Sequence, residues 1–249
     1  MSLGGGAGAQ AEASVTGDNE ASIGANASIQ VTGLVWVDAG QNGDNDAEAH
    51  AFGASTGVIE AGTIATSATV SGAVRAKMDG VITGGGALTV LADGDNLADA
   101  DAFVGALSAV AISGGGAKAE ITSAADVEAT LASTGSIHVT GAILVTASSD
   151  NDANANADVG AGGVATFGTA EPRATVGGGT KVQFDAGVTQ ASGVTVQATS
   201  LNDATADSAM VSRWYGGVRN QLAHRKPPTA AATAGPTPPT AAATTTRSR

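Results

Sequence analysis

The chain has 249 residues, 36 of them glycine and 3% aromatic, and much of its 43% hydrophobic content is alanine. Alanine buries little area, at about 25 cal/mol per Å² of apolar surface, so a thick core filled to crystal-like density is excluded unless backbones approach closely; with no cysteine, disulfide and thiolate chemistry are excluded as well. All 23 acidic residues stand at or before Asp207, with five basic ones, which leaves the body at −18, a charge that repels nucleic acid and anionic lipid.

The opening MSLGGGAGAQ has no basic segment and no apolar core, so no standard secretory signal is expected there. No apolar stretch of about 18 residues follows, so no membrane-spanning helix is expected. Residues 1–12 read as a flexible or truncated lead-in, and residues 13–212 as four repeats. In each repeat a β-favouring run ends in Val-x-Ala: VWVDA at 35–39, LTVLA at 88–92, ILVTA at 143–147 and VTVQA at 194–198. An asparagine comes next, Asn45, Asn96, Asn151 or Asn202, and these are 51, 55 and 51 residues apart. A third element, Ala-x-Val/Ile, ends at Val15, Val70, Ile121 and Val176.

The spacings carry more information than the motifs. From each asparagine to the next Ala-x-Val/Ile endpoint is 25 residues in all three cases, whereas from that endpoint to the strand valine is 22, 20, 24 and 20. A constant interval is expected where backbone ladders lock residues in register. A variable one is expected in loops, where extra residues cost little closure entropy. After each asparagine the alanines alternate strictly, as Ala47, Ala49, Ala51, then Ala98, Ala100, Ala102, then Ala153, Ala155, Ala157. Period two marks a strand with one buried face. Polar residues such as Glu48 and His50 or Asp99 and Asp101 then point outward. Gly-Gly runs at 84–86, 114–116 and 177–179 are expected to form corners with unusual φ.

These rules predict an all-β fold, a repetitive β-solenoid of the parallel β-helix kind, with two or three rungs per repeat. The alternative is an array of small β-sandwich units, whose cores of about 10 Å need larger inward residues than alanine.

The succession Val-x-Val-x-Ala, Asn, alternating Ala, Gly-rich bridge and Ala-Thr-Val over residues 11–212 resembles the β-strand-repeat regions of bacterial filamentous adhesins and autotransporter-like surface proteins. That resemblance implies a structural or adhesive segment at the cell surface or outside the cell, without catalysis. Its partners would be further copies of the repeat in a longer chain and a host or neighbouring-cell surface. No nucleic acid and no membrane insertion are expected, and uncapped ends predict end-to-end self-association.

Candidate chemistry is sparse. Asp44, Asp46, Asp93, Asp95, Asp150 and Asp152 cluster around the strand motif, and oxygen-rich turns of this kind can bind Ca²⁺. No EF-hand or calcium nonapeptide pattern occurs, and strand-ending Asx-turns account for the same residues. A calcium-dependent repeat module is thus an alternative, and otherwise no cofactor is expected. His50 beside Glu48 has no histidine counterpart in later repeats, and His138 and His224 show no ligand spacing. A secreted polysaccharide-active β-helix is the other alternative, but the body carries one Trp, Trp36, no Tyr and five cations. Phe52 and Phe103, each seven residues past its asparagine, read as packing beneath a loop.

From Arg213 to Arg249 the chain is basic and rich in Pro, Thr and Ala, with six basic residues, no acidic one and five of the six prolines. It reads as a disordered tail. A shift of reading frame near Ser212 is the alternative.

Overall fold

The computed structural model describes residues 4–40, 45–132, 136–214 and 221–224. Among these residues it is all-β, 83% strand with no helix. In chain order the strands are β1 (Gly5–Val15), β2 (Asn19–Ile23), β3 (Ser28–Gln30), β4 (Leu34–Gly40), β5 (Asn45–Val70), β6 (Val74–Met78), β7 (Val81–Gly84) and β8 (Ala87–Ile121). There follow β9 (Val127–Leu131), β10 (Ser136–His138), β11 (Ala142–Gly163), β12 (Ala165–Val176), β13 (Thr180–Phe184), β14 (Gly187–Gln190), β15 (Gly193–Trp214) and β16 (Gln221–His224). The lead-in expected over residues 1–12 is strand from Gly5 onward, paired with Glu60–Val70.

Pairing is parallel, apart from the antiparallel β15–β16 pair, and joins each repeat to the next. One eight-stranded sheet runs β1-β5-β8-β11-β15-β16, with β4 and β12 also on β8; two four-stranded sheets run β14-β10-β7-β3 and β13-β9-β6-β2. The sequence markers meet in register: Asn45 with Asn96, Asn96 with Asn151, Asn151 with Asn202. So do Val15, Val70, Ile121 and Val176. Each repeat therefore adds one strand level, not the two or three rungs expected. The reason is strand length. A strand of 35 residues such as β8 takes up the residues that had been assigned to several short rungs. Because pairing passes between repeats, the repeats are not separate sandwich units.

Such long strands bend. In β8 the buried residues are even-numbered from Leu88 through Ala106 and Ser108, then odd-numbered from Ala111 to Ile121. The reversal falls between Ser108 and Ala111, where the Ser108 hydroxyl donates to the Val110 carbonyl at 2.6 Å. Beyond it the strand's second half packs on its first: Ala98, Ala100, Ala102 and Val104 share a cluster with Ala117, Ala119 and Ile121. Two walls lined by alanine approach closely, which is how an alanine-rich chain reaches core density. The remaining residues enclose a core of larger side chains, including Met78, Ile82, Leu88, Leu131, Ile137 and Ile143, all fully buried.

The unequal intervals are absorbed between strands. Ile23 pairs with Met78 but Ser28 with Val81, so the first repeat holds two extra residues in that turn. Val70 pairs with Ile121 but Val74 with Val127, which places another two at 122–126. The glycine runs divide. The run at 177–179 falls between strands and that at 84–86 begins on the last residue of β7, but 114–116 lies inside β8. No described glycine has positive φ. Close approach is the requirement instead. A Cβ on Gly86 would stand 2.8 Å from the Thr32 carbonyl oxygen, and one on Gly115 would stand 3.2 Å from Val159 of the facing wall.

Candidate functional site: the polar columns of the ladder

Exact register turns each repeat position into a column. The inward column at the mouth of the alanine walls is asparagine throughout. Asn45 Nδ2 donates to Asn96 Oδ1 at 3.0 Å, Asn96 Nδ2 to Asn151 Oδ1 at 2.7 Å, and Asn151 Nδ2 to Asn202 Oδ1 at 2.7 Å. Asn96 and Asn151 are each 1% exposed. Buried amides are costly unless bonded, and this ladder bonds each to its own counterpart. Asn151 Nδ2 is also 3.2 Å from Ser149 Oγ, to which it donates. Sequence reasoning used these asparagines only to measure the period and read the surrounding Asp and Asn residues as strand-ending turns. In fact β8 and β11 run straight through them. The missed signal was parity: Asn45 shares it with the inward Ala47, Ala49 and Ala51.

Outward on the same strands, Glu48, Asp99, Asn154 and Thr205 form one column and His50, Asp101, Asn156 and Asp207 the next. His50 Nδ1 lies 3.1 Å from Asp101 Oδ2, and Nε2 lies 3.7 Å from Glu48 Oε2. One level per repeat makes these counterpart positions direct neighbours, which two or three rungs per repeat would have kept apart. Burial holds the Asp99 carboxyl above its ordinary value, Asp101 adds to the rise, and His50 opposes it. The patch gathers negative charge around one imidazole.

The calcium candidates are strung along the ladder. Asp46, Asp93, Asp95 and Asp150 point outward and Asp152 is half-buried, while Asp44 lies outside the described residues. Asp95 and Asp150 are direct cross-strand neighbours. Asp93 accepts a hydrogen bond from the Ser148 hydroxyl. Asp46 and Asp152 both pair across Leu97, two strands apart. Among the described residues no three or more His, Asp or Glu side chains are grouped so as to hold a metal ion. His138 is half-buried on β10, apart from the other titratable groups singled out.

The two phenylalanines are not beneath a loop. Phe52 is 70% and Phe103 43% exposed, and their rings stack with centroids 5.1 Å apart. Register alone explains this, since identical positions one level apart face each other. Trp36 is exposed on β4, beside Thr89. Near the bend, Ala54, Gly105, Ala106, Leu107, Ala161 and Val211 help to line an apolar cleft of about 560 Å³. Elsewhere, Asp18 accepts hydrogen bonds from the Ala73 amide and from Arg75, and these hold its carboxyl below the ordinary range.

Comparisons with protein-family models, with curated proteins and with solved structures each found no match.

Proposed function

We propose that this chain is a structural and adhesive repeat segment of a bacterial surface or secreted protein, built as a β-solenoid and without catalytic activity. The observation that carries the reading is the parallel register of all four repeats, marker on marker, in the largest sheet. Such an array transmits load along its stacking axis and grows by adding repeats. Its outer columns vary from repeat to repeat, whereas its inner columns hold Asn, Ala and Val. That contrast suits a scaffold whose core is fixed and whose surface is free to differ. Its partners are further copies of the repeat and a host or neighbouring-cell surface, and its site of action is extracellular.

Far-UV circular dichroism of the full chain should give a β spectrum without helix, and a helical spectrum would end the reading. Beads coated with the chain should be retained on cell monolayers under flow above albumin-coated controls. Equal retention would remove the adhesive half of the proposal. Turnover of any polysaccharide in a glycan panel would replace it with the enzymatic alternative.

A further inference from the structure

We infer that a second copy of this chain stacks head to tail on the first, its β1–β4 edge against the β12–β15 edge, extending the sheets by a further four levels. The inference rests on the repeat reading above and names its partner. Each repeat advances the stack by about 4.8 Å, so four levels rise less than about 20 Å, and a rod requires many more.

Both ends leave strand edges open among the described residues. Among the described residues, no strand pairs with the outer edges of β1, β2, β3 and β4, or with those of β12, β13 and β14. On β15, β16 covers Ala209–Ser212 from the antiparallel side, so the second copy's Phe52–Ser55 must displace it. The end levels also leave core partly open: Val70 and Ile121 are fully buried, whereas their counterparts Val15 and Val176 at the two ends are half-buried. Stacking Val15 of one copy on Val176 of the other would close that gap.

Charge selects the register. Down one outward column stand Glu20, Arg75, Glu128 and Lys181, alternating in sign, with Lys181 Nζ 3.2 Å from Glu128 Oε1. Arg75 bonds Asp18 at 2.9 Å, and among the described residues Glu20 makes no ion pair. A copy seated with Val15 on Val176 puts Glu20 against Lys181 and continues the alternation. In a second column stand Glu12, Ser67, Lys118 and Arg173, negative at one end and positive at the other. The same seating brings Glu12 to Arg173. It also brings Asn45 to Asn202, lengthening the amide ladder, and Asp46 to Asp203, one like-charge contact against the two attractive pairs. Opposite charges in cross-strand positions attract and like charges repel, so an end-to-end contact reversed in polarity, Glu12 on Glu12, is disfavoured. Pro172 removes one amide donor from the β12 edge, so this contact is weaker than an internal level. Because the two surfaces differ and each copy is displaced along the stacking axis, the contact does not close and yields filaments.

The test is sedimentation velocity of the full chain across a hundredfold concentration range at about 0.1 M salt, where the Debye length is about 10 Å. The weight-average mass should rise with concentration. Glu12→Lys and Arg173→Glu were chosen because their neighbours within the chain are Ser67 and Lys118, so neither change creates like-charge contact along its own ladder. Each alone should weaken association about fivefold to tenfold. The double variant restores the opposite pairing and should regain it. Association unchanged in the single variants, or not regained in the double, would overturn the register. A wild type that stays monomeric with a β spectrum and cooperative melting would overturn the stacking while leaving the repeat reading intact; loss of the β spectrum would sink both.

Discussion

Replacing Asn96 by alanine tests the amide ladder at its most enclosed point. The side chain is 1% exposed, accepts from Asn45 and donates to Asn151. Truncation removes both bonds. The Asn151 Oδ1 atom is left without its donor inside the protein, which costs about 1–3 kcal/mol. The bond from half-buried Asn45, whose amide water can reach, is worth about 0.5–1.5 kcal/mol. The expected loss is therefore about 2–4 kcal/mol. Asn202→Ala, at the half-buried end, removes the acceptor for Asn151 Nδ2, but that amide keeps its bond to Ser149 at 3.2 Å. Its expected loss is under about 1 kcal/mol. Urea unfolding followed by circular dichroism measures both, provided the slope is unchanged, since a changed slope signals a changed unfolded state. Asn96→Asp adds a signature that simple loss of packing lacks. A buried carboxylate there faces the Asn151 oxygen, so its pKa must rise, and stability must recover as pH falls and the acid gains a proton to donate. Equal losses for Asn96→Ala and Asn202→Ala, or no recovery of Asn96→Asp in acid, would refute the ladder as a stabilising element.

Two further substitutions probe the walls and the outer patch. Ala100→Leu keeps the position apolar but overfills the gap between facing alanines, and should cost about 1–3 kcal/mol. Asp101→Ala, one residue along and pointing outward, gives up only an exposed pairing with His50 and should cost under about 1 kcal/mol in the same urea assay. Asp99 is held above its ordinary pKa by burial and by Asp101, so the folded state binds its proton more tightly than the unfolded one. Ionisation then costs stability as pH rises through and beyond the usual 3.8. Asp99→Asn should accordingly raise the urea midpoint at pH 7, and the gain should vanish below that value; a gain of the same size at pH 3 would show that charge is not its cause.

The sequence by itself determined the strand faces, the period and the places where length varies. Alternation is a local property: once Ala98, Ala100 and Ala102 are to be buried, Asp99 and Asp101 must face out. A register that holds over 25 residues likewise shows up as a constant interval. The level count was a different matter, because a run such as ALTVLADGDNLADADAFVGALSAVAISGGGAKAEI carries the same period whether it is one strand or three. Only the tertiary structure decided that it is one, bent between Ser108 and Ala111 so that its two halves bury each other's alanines. From that single fact follow the features sequence reasoning missed or misplaced. One level per repeat brings Asn96 onto Asn151, His50 onto Asp101 and Phe52 onto Phe103, residues 51 to 55 positions apart whose contact no local pattern could announce. Local chemistry fixes which way a side chain faces, while its neighbour is fixed by where the chain returns.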